Sequence, residues 1–103
     1  MDDVMYTLGA WKVHAGRESE FVAAWKALGQ IFAALPHPPG TGTLIQSVSD
    51  PQQFYSFGPW KRPEDIQAMR GDSRAQAGIR RLMSLCAEAT PGTFRVVAEV
   101  SAG

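Results

Sequence analysis

Between Phe54 and Trp60 the chain reads FYSFGPW, then drops at once into KRPED. A tryptophan where a strand hands over to a Pro-started helix offers a flat apolar surface for an aromatic molecule and one indole N–H donor. In a small α+β domain the gap between sheet and helices is where a pocket forms, and Trp60 would wall it. The competing role is structural, with Trp60 only locking strand to helix. From Lys61 to Arg81 six basic residues stand against three acidic ones, an excess that suits an anionic or phenolic ligand or, more plainly, a solvated helix pair.

Other chemistry finds less support. His14 and His37 are the only histidines, and neither has a cysteine or carboxylate at ligand spacing, so no metal site is expected. Both read as surface or rim residues; a general-base role for His14 is the alternative, because imidazole titrates near neutral pH. Cys86 is the single cysteine, which excludes an internal disulfide and a cysteine-only metal site, and on the apolar side of a helix it should be an inert thiol. Ser47, Ser49, Ser56 and Ser84 lack a G-x-S-x-G elbow, and GTG at 40–42 lacks the partners of a dinucleotide fingerprint. No nucleotide, flavin or metal cofactor is implied.

The elements that must position Trp60 follow from periodicity. Val4–His14 is a first strand with few charges on either face. Phe21, Trp25, Leu28, Phe32 and Leu35 recur at steps of four and three, the apolar stripe of a helix opened by Glu18 and Glu20. Pro36–Gly42, PHPPGTG, is a loop over the sheet edge. Thr43–Val48 and Gln53–Phe57 form an antiparallel hairpin around Asp50-Pro51. Pro63 starts a short helix that stops near Gly71, and Asp72 or Ser73 caps a third whose apolar side is Ile79, Leu82, Met83 and Cys86. That helix should end before Pro91-Gly92, and the alternation of Phe94, Val96, Ala98 and Val100 predicts a last strand over Thr93–Val100.

This order predicts one α+β domain over residues 1–103, a ferredoxin-like split β-α-β sandwich with a four-stranded antiparallel sheet and helices on one face. The bare face needs a second layer that the chain lacks, so a homodimer through the open sheet face is expected. An apolar content of 45% points the same way. Zero formal net charge argues against nucleic acid or an anionic membrane as partner. Two acids near the N-terminus and the absence of an apolar run of roughly 20 residues predict a soluble cytoplasmic protein.

Taken together, the opening strand with KVHAGRESEFVAAW, the hairpin with FYSFGPW, the acidic helix start and the last strand after Pro91-Gly92 resemble the antibiotic-biosynthesis-monooxygenase-like members of the dimeric α+β barrel superfamily. The resemblance spans nearly the whole chain, and the superfamily holds oxygenases, other enzymes and proteins without known activity. At the positions that its haem-degrading group uses, this chain has Ala10, Met69 and Ile79, none able to supply the required hydrogen bond, ring contact or axial imidazole. The group that oxidises polycyclic phenols to quinones without a cofactor is matched at Trp60 and Arg80, whereas Ser56 and Ile66 replace an Asn and a Tyr. The resemblance therefore implies a monooxygenase in which Trp60 walls the pocket, Arg80 stabilises an anion and Ser56 orients a substrate oxygen. Trp11, Trp25, Phe57, Ile66, Met69 and Ile79 would surround a small aromatic ligand. The alternative is a non-catalytic ligand-binding or stress-related dimer, in which Trp11, Trp25, Phe57 and Met69 fill the gap.

Overall fold

The computed structural model describes residues 4–102, so Asp2 and Asp3 of the N-terminal reading lie outside it. Seven elements follow in the expected order: β1 (Met5–Val13), α1 (Glu18–Ala33), β2 (Thr43–Gln46), β3 (Gln53–Trp60), α2 (Pro63–Gly71), α3 (Ser73–Ser84) and β4 (Cys86–Arg95). The strands form one antiparallel sheet in the order β2-β3-β1-β4. This is the ferredoxin-like arrangement, with β1 beside β3.

Local chemistry explains the boundaries. Gly16 takes a positive φ of 87° between β1 and α1, a conformation that suits glycine, and its N–H donates to the Glu18 carboxylate. Pro63 opens α2 at a position that needs no N–H. The Asp72 carboxylate accepts from the N–H groups of Arg74 and Ala75 at 2.9 and 3.0 Å, so Asp72, not Ser73, caps α3. In the β2–β3 turn the Ser47 hydroxyl accepts from the Asp50 N–H and Asp50 from that of Gln52.

The C-terminal third departs from its sequence pattern. The apolar period through Leu82 and Cys86 predicts a longer helix, but α3 stops at Ser84 and Cys86 begins β4. The alternation over Phe94–Val100 predicts a strand, yet β4 ends at Arg95, and Val96, Val97 and Val100 are exposed. Pairing decides it: β1 needs hydrogen-bond partners along its second edge, and β4 supplies them from Cys86 to Arg95. Pro91 is tolerated because β4 is an edge strand, where one missing N–H need not break a ladder. Met83, assigned to the apolar side, is exposed instead.

Strand alternation divides the sheet into two faces. Thr7, Gly9, Trp11 and Val13 of β1 share a face with Phe54, Ser56, Gly58 and Trp60 of β3, and most of these are buried. Opposite lie Tyr6, Leu8, Ala10, Tyr55, Phe57 and, by register, Ile45 and Phe94, partly or largely exposed. The core under the helices has two parts. One gathers Trp11, Val13, Phe21, Leu28, Phe54, Leu82 and Leu85. The other gathers Leu35, Trp60, Ile66, Met69 and Ala75, and Phe32 and Ile79 pack against both.

Candidate functional site

Between the two parts of the core the sheet and helices do not close. They leave a cavity of about 840 Å³ lined by both parts, with Trp11, Leu28 and Leu82 from one and Trp60 and Met69 from the other. The apolar stripe of α1 records it: Phe21 and Leu28 are buried, whereas Trp25 and Phe32 are only partly covered and line the cavity. At Gly29 a Cβ would meet no atom within 4 Å, so α1 presents bare backbone to the space. The Pro36–Gly42 loop forms a further wall, tied to β3 by Gly40 N–H donating to the Pro59 carbonyl at 2.9 Å. Glycine permits this approach, since a Cβ at Gly40 would lie 2.9 Å from the Pro59 ring.

The polar groups are few and ordered. The Trp11 indole N–H donates to Ser56 Oγ at 2.9 Å, and that of Trp60 donates to Thr7 Oγ1 at 3.0 Å. A Cβ at Gly9 would sit 2.5 Å from the Trp11 ring, so Gly9 lets the indole fold across β1 toward Ser56. Phe32 meets Trp60 edge-on with centroids 5.7 Å apart, which fixes the second indole. At the mouth, Arg70 in the last turn of α2 donates from Nη2 to Thr93 Oγ1 of β4 at 2.5 Å. Lys26 and Arg70 are the only lining residues with an ionic side chain, and both are cations; no His, Cys, Asp or Glu lines the cavity among the described residues.

Most sequence-derived site residues meet here. Trp11, Trp25, Ser56, Phe57, Trp60, Met69 and Ile79 all line the cavity, although alternation turns the Phe57 side chain toward the open face. Two do not. Ile66 is buried against the second core cluster, and Arg80 is exposed on α3. The helical turn gives the reason: Ile79 and Leu82 point inward, and Arg80 lies about 100° beyond Ile79 and about 200° before Leu82. Ala10 falls on the opposite face of the sheet, while His14 and His37 are exposed and outside the lining. The residues missed were Thr7 and Arg70. Thr7 carried a signal as a lone hydroxyl in phase with Gly9 and Trp11, and Arg70 carried one as the residue after Met69 at a helix end.

No family model matches the chain, and no curated protein does. Solved structures do. A variant of SnoaB, a cofactor-independent oxygenase from Streptomyces nogalater, superposes with a TM-score of 0.85 at 17% identity, covering 97% of this chain and 98% of that one. The chain has this fold. A candidate antibiotic biosynthesis monooxygenase from Bordetella bronchiseptica matches with a TM-score of 0.78 at 17% identity, over 93% of this chain and 99% of the other. One from Nitrosomonas europaea matches at 0.80 and 15%, over 98% and 97%. The antibiotic-biosynthesis-monooxygenase type of ferredoxin-like fold thus extends over nearly all of the described residues.

Proposed function

We propose that this chain is a cofactor-independent monooxygenase that oxidises a planar phenolic, polyketide- or quinol-like substrate with dioxygen, working as a homodimer. The observation that carries the reading is the open, indole-walled cavity: Trp11, Trp25 and Met69 line it and do not fill it. The protein named as a cofactor-independent oxygenase has the same fold, which supports the reaction type. The lining adds a chemical reason, since its cations and hydroxyls suit an anionic substrate.

In this reading an acidic ring CH2, conjugated to a phenol or ketone, loses a proton to water. The resulting carbanion-like phenolate passes electrons to dioxygen, a C–O bond forms, and the peroxide takes up a proton. The O–O bond then breaks as the second C–H proton leaves. One oxygen stays as a carbonyl and the other departs as water, so the substrate supplies all four electrons. The protein binds the ring between indole surfaces, holds developing negative charge with Ser56 and the cation of Arg70, and excludes bulk water. Arg70 takes the charge-stabilising role expected of Arg80 because Arg70 lines the cavity and Arg80 does not.

Oxygen uptake by metal-free protein over a panel of hydroquinones, anthrones and polycyclic phenols tests this. Uptake should need no additive, fall by about tenfold or more in Arg70→Ala, and stay at the wild-type rate in Arg80→Ala. No uptake above the uncatalysed rate across the panel would overturn the proposal.

A further inference from the structure

The cavity floor carries a polarity that residue types alone do not reveal. Of the floor hydroxyls, Ser56 accepts from the Trp11 indole and Thr7 from the Trp60 indole. Both indoles are donors that cannot accept. Each hydroxyl has one hydrogen to give, and among the described residues neither Ser56 nor Thr7 donates it to a protein acceptor. A ligand over the floor therefore meets two hydroxyls that each still hold a hydrogen to give.

Their placement follows from register. Thr7 pairs with Gly58 and with Thr93, and Ser56 pairs with Gly9, so Thr7 and Ser56 are diagonal neighbours on the cavity side of adjacent strands. Such positions lie about 7–8 Å apart. Trp11 and Trp60 flank the diagonal, both nearly fully buried, so each indole N–H stays on its hydroxyl and holds one of its two lone pairs.

We propose that Thr7 and Ser56 are paired specificity-determining donors, fixed by Trp60 and Trp11, that select planar rings bearing two acceptor oxygens over rings of equal shape that lack them. This rests on the cavity being the substrate site. It makes Thr7 a second substrate-oxygen contact beside Ser56, and it assigns both tryptophans an orienting task beyond stacking.

Isothermal titration calorimetry with anthraquinone-2-sulfonate and anthracene-2-sulfonate tests it, because the two differ only in the ring oxygens and share the anion that Arg70 and Lys26 attract. The quinone should bind wild type about tenfold or more tightly than the hydrocarbon. Thr7→Val and Ser56→Ala should each weaken the quinone by about threefold to tenfold and leave the hydrocarbon unchanged. Thr7→Ser keeps the hydroxyl and should keep the preference even if Thr7→Val folds poorly. Equal affinity of wild type for both rings, or equal loss of both in Ser56→Ala, would overturn the donor pair and leave an aromatic cavity standing. Failure of both rings to bind would overturn the cavity as an aromatic site, and this inference with it.

Discussion

At the mouth of the cavity Arg70 spans from α2 to Thr93 of β4, while no histidine, cysteine or carboxylate lines the cavity among the described residues. A general base must lie within hydrogen-bond reach of the proton it removes, and His14 is exposed and outside the lining. The rising limb of the pH–rate profile should therefore follow the acidity of the substrate. Two substrates whose acidic ring CH2 groups differ in pKa should shift that limb by the same interval, and His14→Ala should leave it in place; a limb common to both substrates would point to a protein base. The choice between Arg70 and Arg80 shows what sequence could read at this scale. Trp60 and Ser56 were legible because strand alternation settles which face they share. An arginine on a short amphipathic helix was not, because one residue of phase is about 100° of rotation and the neighbouring strand decides which phase is buried.

At the scale of elements, α1 and α3 approach closely where Gly78 leaves room for Leu28, and a Cβ there would lie 2.7 Å from Leu28 Cδ1. Gly29 is the opposite case, a helical glycine with open space over it. Gly29→Ala should raise stability by about 0.5–1 kcal/mol in urea melts, since alanine loses less backbone entropy in a helix, while Gly29→Leu should keep the fold and abolish ligand binding by filling the cavity wall. A second link joins these helices at their ends: Arg81 reaches Glu20 at 2.6 Å, and Arg17 reaches it from the other side at 2.7 Å. Hydrogen bonds from Arg17 and then Arg81 lower the Glu20 pKa from 4.5 to about 2. A carboxylate depressed on folding stabilises the native state above its unfolded pKa, and that contribution is lost as the carboxylate protonates. The melting temperature of wild type should fall more steeply than that of Glu20→Gln between pH 4.5 and 2 at low salt, and both slopes should converge at high salt because the groups are solvent-exposed. The helices themselves were readable from period and caps. The start of β4 was not, since Leu82 and Cys86 fit a helical period and only the demand of β1 for an edge partner turns Cys86–Arg95 into a strand.

For the whole molecule, the shortest extent is 18 Å, the depth of one helix layer on one sheet, so nothing in the described chain covers the far side. That side carries Phe94 at 53%, Ile45 at 49% and Tyr55 at 43% exposure, along with Leu8, Phe57 and Tyr6, a band crossing all four strands. A contiguous apolar band of this kind is costly to leave in water, and a second copy laid face to face would bury the same residues on both sides, as a two-fold interface does. The seven-element order and the bare face were both legible from alternation, but the extent of the band was not, because β3 runs three residues past its predicted end to Trp60 and β4 starts seven residues early at Cys86. Light scattering should give wild type twice the chain mass of 11.2 kDa. Ile45→Lys with Phe94→Glu should give a folded monomer with lower stability, because the substitutions place charges where the partner sheet must be dry. If wild type runs as a monomer at micromolar concentration, the face is covered by something other than a second copy. The cavity lies on the helix side of the sheet, so a monomeric double variant that still binds anthraquinone-2-sulfonate would show that pairing supports the sheet and that the site is complete within one chain.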